Sequence, residues 1–144
     1  MKKSKLKLVY VASPFSHVDA KTQHLRFMEI TKIGANLMER YDIAPILPIT
    51  QSYMLVKHGG AKGTGWTDWR EVDKKFVEKA DAMWVVTMDG WKESTGVQAE
   101  IRHAKEHDVP LYYVDPKTLD LSTGPGTAPV TDKDLELLLG AMFK

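Results

Sequence analysis

The strongest constraint on this chain is an alternation. Short apolar runs closed by turn formers are separated by longer stretches with helical spacing. Leu6 to Ala12 is a β-rich run ended by Ser13-Pro14, and Ile43 to Leu47 is a second, marked off by Asp42 and Pro48. Ala82 to Met88 reads as a buried third strand and Val109 to Val114 as a fourth. Between them, Thr22 to Tyr41 has helical periodicity, with Leu25, Met28, Ile33, Leu37 and Tyr41 near one face. Thr67 to Ala80 reads as a second long helix, N-capped by Thr67 or Asp68, with Trp69, Val72, Phe76 and Ala80 toward the sheet. A third helix starts near Ser94. Alternating strands and helices predict a parallel sheet covered on both faces, a flavodoxin-like three-layer α/β/α sandwich. Ile49 to Lys57 stays ambiguous between loop and short helix, and the Gly-rich stretch from His58 to Gly65 reads as a flexible loop.

The chain reads as one domain over residues 1–144, with a core of about 6–114 followed by a loop and helix over 115–144. Asp115 to Val130 is rich in Pro, Gly, Ser and Thr. Thr131 to Phe143 is expected to close the chain as a helix with Leu135, Leu138, Leu139 and Met142 as its stripe. Twenty basic against nineteen acidic residues leave a net charge of +1, which argues against a dedicated nucleic-acid binder. Lys2, Lys3, Lys5 and Lys7 read as a solvated, frayed start. No cysteine occurs, which excludes disulfides and thiolate chemistry. With no bilayer-length apolar run and no signal-peptide pattern, a soluble cytoplasmic protein is expected.

Several α/β families are excluded by spacing. Ser13-Pro14-Phe15-Ser16 follows the first strand in place of a Gly-x-Gly-x-x-Gly turn, and the loop from Gly59 to Gly65 is no phosphate loop. No Gly-x-Ser-x-Gly elbow occurs, and the first strand ends without the carboxylate a phospho-receiver needs. His103 and His107 are four apart, and a solvated helix face is preferred over a metal site.

What remains is the segment from Asp89 to Glu100, a turn with two glycines and a hydroxyl leading from a strand into a helix. The helix start offers backbone N–H groups to an anion, and Glu100 can project into the crevice at the strand ends. Tyr10, late in the first strand, and Asp73, in the second long helix, are the other groups that converge at that edge. Each has a plainer reading: Tyr10 as core, Asp73 as an ion pair with Arg70, Lys74 or Lys75, and Glu100 as solvated surface. Phe15, Trp66 and Trp91 are candidate aromatic surfaces for a flat heterocycle, whereas Trp84 and Trp69 read as packing residues.

Together, Tyr10 to His17, Trp66 to Asp73, Ala80-Asp81 and the Gly90-Trp91-x-x-Ser94-x-Gly96-x-x-x-Glu100 pattern resemble the nucleoside 2-deoxyribosyltransferase superfamily, especially a poorly characterised branch related to 2′-deoxynucleoside 5′-phosphate N-hydrolases. The resemblance runs from about Leu8 to Val114. It implies that Glu100 is a catalytic nucleophile, oriented by Tyr10 and assisted by Asp73 in protonating the departing base. It implies an enzyme that cleaves the N-glycosidic bond of a nucleoside or nucleoside 5′-monophosphate, without metal or organic cofactor. Ser13, Phe15, Trp91, Ser94 and Gly96 then belong to substrate binding. Ser94 stands where the transferases carry an aspartate and the N-glycosidases a phosphate-binding serine, and it reads equally as a helix N-cap. Pro14 and Ser16 stand where those N-glycosidases carry a serine and an arginine. Arg26, Arg70, Lys62 and His17 are the candidates for the missing charge. A homodimer or larger homo-oligomer is expected by the same resemblance. The alternatives are a deoxyribosyltransferase, a nucleotide-sensing module without turnover, and a domain whose crevice serves a protein partner.

Overall fold

A computed structural model describes residues 6–63 and 65–139. Its order is β1 (Lys7–Ala12), α1 (Ala20–Arg40), β2 (Ile43–Ile46), α2 (Pro48–Lys57), α3 (Trp66–Lys79), β3 (Ala82–Val86), α4 (Thr95–Glu106), β4 (Leu111–Val114), β5 (Leu121–Ser122) and α5 (Asp132–Leu139). The strands form one sheet in the order β2-β1-β3-β4-β5. The first four are parallel, with Tyr10 opposite Ile46 on one side and Met83 on the other. β5 is antiparallel to β4, so the sheet is mixed and not purely parallel as expected. The difference lies in the 115–130 stretch, whose two-residue strand is too short to leave a periodic signal.

Side chains of β1 alternate between two cores because successive residues in a strand face opposite ways. Val9 and Val11 join Ile33, Leu37, Trp84 and Tyr112 beneath α1. Tyr10 and Ala12 join Met83, Val85, Val77 and Ile101 beneath α3 and α4. Trp84 packs edge-on to Tyr41 as a core residue, with ring centroids 5.2 Å apart.

The helix faces are rotated from their expected settings. In α1 the buried positions are Ile30, Ile33, Gly34 and Leu37, while Leu25 and Met28 are more than half exposed. In α3 the buried positions are Asp73 and Val77; Phe76 and Ala80 are partly buried, and Val72 is exposed. The row Trp69, Asp73, Val77 follows the i, i+4 ridge of a helix and carries the carboxylate inward. Helix α3 begins one residue earlier than expected, after Gly65, and Asp68 reaches back to accept the Gly65 N–H at 3.2 Å. The ambiguous segment is helix α2, with Pro48 at its first turn.

The tail is anchored rather than extended. Arg40 pairs with Asp120 at 2.6 Å and donates to the Thr118 carbonyl, and the Tyr41 hydroxyl donates to the Leu119 carbonyl. Leu135 of α5 is buried in the α1-side core. The side chains of Leu138 and Leu139 lie outside the described residues, as do Met142 and Lys2, Lys3 and Lys5. Lys7 is the first residue of β1 and not part of a frayed start. At one margin of the sheet, β2 has Pro45 opposite Val9. No helix among the described residues is long and apolar enough to cross a membrane.

Candidate active site

The strand order reverses between β1 and β3, and the crevice above their carboxyl ends is where sheets of this kind bind ligands. A cavity of about 370 Å³ lies there. Ser13 and Phe15 reach it from the segment after β1, Trp66, Trp69 and Asp73 from α3, and Ser94, Gly96 and Glu100 from the start of α4. The size is that of an ordinary small-molecule pocket.

Tyr10, Asp73 and Glu100 converge as expected. The Tyr10 hydroxyl donates to Glu100 Oε2 across 90 positions of sequence. Tyr10 is fully buried, Glu100 is 5% exposed and Asp73 is 8% exposed. None of the expected ion pairs forms at Asp73: Arg70 turns to Glu71 at 3.7 Å, on the exposed side of α3. Burial therefore acts on both carboxyls. It pushes Asp73 up to about 7 and, together with the neighbouring Asp73 charge, Glu100 up to about 8, while the Tyr10 hydrogen bond pulls Glu100 down. Burial, reinforced by Glu100 and Asp73, raises the Tyr10 phenol well above its ordinary value, so it stays a donor. Two neighbouring carboxyls that each resist ionisation near neutral pH pass through a state with one protonated and one ionised, the condition in which one acts as base or nucleophile and the other as acid.

The expected binding residues divide. Ser13 is 5% exposed, and its hydroxyl is one of two buried side-chain polar atoms without a hydrogen-bond partner among the described residues. A buried orphan hydroxyl on a pocket wall is a waiting contact for a polar ligand atom. Phe15 is buried and meets Tyr53 edge-on at 5.9 Å, so its position is fixed by packing. Ser94 caps α4, accepting the Val97 N–H at 3.2 Å, and still borders the cavity. Gly96 faces it too; the nearest atoms a Cβ built there would meet belong to Trp66 and Ser94, at ordinary distances.

Trp91 does not border this cavity. It packs on Tyr113, 5.7 Å between centroids, and lines a separate cleft beside β4 and β5. Its place is taken by Trp69, whose Nε1 donates to the Gly63 carbonyl at 2.9 Å. The available signal was its position four residues before Asp73, which puts both on one ridge. Glu93, Thr67 and Ser52 also line the cavity without having been singled out. The proposed cations do not reach it. Arg26 is spent on the backbone, donating to the Ser16 carbonyl at 3.0 Å and to those of Phe15 and Asp89 at 3.4 Å. That clamp also explains Gly90: its φ is +92°, and a side chain there would strike the Arg26 guanidinium.

Fold and site together define an α/β three-layer protein with a buried tyrosine–carboxylate group at the switch point of its sheet. The chain belongs to the family described as DUF1937, a domain of unknown function, which it matches over residues 7–115. All of Tyr10, Asp73 and Glu100 fall inside the matched span. No curated protein matches the chain.

Proposed function

We propose that the protein is an N-glycosidase that releases the free base from a nucleoside or nucleoside 5′-monophosphate. The observation that carries this reading is the pair of buried carboxyls, Asp73 and Glu100, on the wall of one pocket, with the Tyr10 hydroxyl donating to Glu100 from the core behind it. The resemblance to nucleoside 2-deoxyribosyltransferases supports it from the sequence side. In the first step the Glu100 carboxylate attacks the anomeric carbon as the C–N bond breaks, and protonated Asp73 gives its proton to the departing base. In the second step water attacks the glycosyl ester and passes a proton back to Asp73. The products are free sugar and regenerated Glu100, as in retaining glycosidases. Tyr10 holds the carboxylate in place and supports its ionised form. Phe15, Trp66 and Trp69 supply aromatic surface for the base.

The lining favours the nucleoside over its monophosphate. Asp73, Glu93 and Glu100 border the cavity, and no Lys or Arg is among its described lining residues. The N-terminus of α4 is the remaining electropositive element. In a homo-oligomer, also part of this reading, a second subunit would be the source of any further charge. Transfer of the sugar to a second base is the alternative outcome of the same glycosyl-enzyme.

The test is incubation with ribo- and deoxynucleosides and their 5′-monophosphates, followed by chromatography for free base. Release from at least one, lost on the order of 1,000-fold or more in Glu100→Ala, is expected. Tight binding with no release from any would leave a sensing module, and release that survives Glu100→Ala would remove this mechanism. New nucleoside formed on adding a second base would identify a transferase.

A further inference from the structure

The helices that carry Asp73 and Glu100 meet a second time, outside the pocket. Glu78, near the end of α3, faces His103 and His107, one turn apart on α4. We propose that these three side chains bind a single transition-metal dication of the zinc class, bridging α3 to α4.

One ligand atom from each residue lies within 4.8 Å of the others. Glu78 Oε1 is 3.0 Å from His103 Nε2 and 3.8 Å from His107 Nε2. Nitrogen and oxygen ligands about 2.0–2.2 Å from a tetrahedral zinc stand about 3.4 Å from one another, between those two values. The tautomer of His107 is fixed by its own helix. Its Nδ1 lies 3.0 Å from the His103 carbonyl oxygen, which can only accept, so Nδ1 carries the proton. That leaves Nε2 as the ring atom facing the Glu78 carboxylate, the atom through which a metal would be held. Backbone carbonyls fix metal-binding imidazoles in this way in known sites.

The hydrogen bond from His103, with His107 and Lys75 adding to it, holds the Glu78 carboxyl below its usual range, so it is ionised at neutral pH. When a metal binds, it displaces the Nε2 proton of His103, and that ring takes its Nδ1–H form. Side-chain exposures of 12% for His103, 32% for Glu78 and 43% for His107 leave the outer side open to water as a fourth ligand. The His103 hydrogen bond occupies one side of Glu78 Oε1, and His107 Nε2 stands 3.8 Å from the same oxygen, beyond hydrogen-bond reach. Glu78 escapes a sequence reading because 25 residues separate it from His103.

The site is tested on the full, tag-free chain after chelation, by titrating Zn²⁺ in a calorimeter and by thermal melting. One ion per chain is expected, with a melting temperature raised by about 5–10 °C at a hundred times Kd. His107→Ala and Glu78→Gln, whose metal-free melting temperatures check that they fold, should each weaken binding roughly tenfold or more. Absence of binding, or unchanged affinity in both variants, would overturn the proposal; the latter result would assign the ion to other histidines.

Discussion

At the scale of the residue, the proposed chemistry turns on Asp73 and Glu100 holding one proton rather than two or none. The pair loses its two protons between pH about 7 and about 8: with both there is no nucleophile, with neither no acid. Because Glu100 holds its proton more tightly than Asp73, the productive form (Glu100 ionised, Asp73 protonated) is the minor of the two singly protonated forms. A bell-shaped profile of kcat/KM peaking between these limits is the expected outcome, and a rate flat from pH 5 to 9 would contradict it. Tyr10→Phe keeps the ring but removes the donor that favours ionised Glu100. Its alkaline limb should move to higher pH, with activity falling roughly 10–100-fold, the worth of a hydrogen bond to a charged group. Gly96→Ala probes the wall: the protein leaves room for the methyl, so melting should change little while KM rises as the cavity narrows. Much of this site was legible because its parts flank strand ends, where turn formers announce them. Trp91 and Trp69 trade the roles their positions suggest, because a place in a loop does not by itself imply ligand contact. The turn instead folds Trp91 back onto Tyr113, and the α3 ridge turns Trp69 toward the cavity.

At the scale of the element, α3 shows how a small rotation matters. The apolar residues alone suggest the face Trp69, Val72, Phe76, Ala80, whereas the observed face centres on Asp73 and Val77. A carboxylate buried at the pocket wall displaces the hydrophobic pattern from which a face is inferred. Val77→Ala should therefore cost about 2 kcal/mol, and Val72→Ala, at an exposed position, within about 0.5 kcal/mol, both read by chemical denaturation. Equal costs would restore the other face. The strands were legible to within two or three residues, since each is an apolar run with a breaker beside it. β5 was not, because two residues held by Val114 and Tyr113 owe their conformation to partners distant in sequence. The start of α1 misled in a similar way, since Leu25 and Met28 keep the helical period yet remain exposed.

At the scale of the whole molecule, the buried carboxyls set a slope of stability against pH. Asp73 and Glu100 titrate higher in the folded protein than in the unfolded chain, so the fold retains protons that the unfolded chain releases. Their contribution is complete below pH about 4 and is lost as pH rises through about 7 and 8. Asp19 and Asp115, held low first by backbone N–H groups of Lys21 and Lys117, act oppositely in the acid range. Melting temperature should fall between pH 5 and 9, and Glu100→Gln should flatten the fall, gaining on the order of 2 kcal/mol over the parent at pH 9. A parallel fall in both proteins would count against the buried charge as its cause. The margins of the sheet carry a different consequence. On one side β2 is four residues long and interrupted by Pro45, which has no N–H to offer; on the other, β5 is two residues long. Neither gives an incoming strand a usable template, so the fold is guarded on both flanks against edge-to-edge aggregation. Among the described residues, then, the surfaces left for any contact between copies are helices and loops rather than the edges of the sheet.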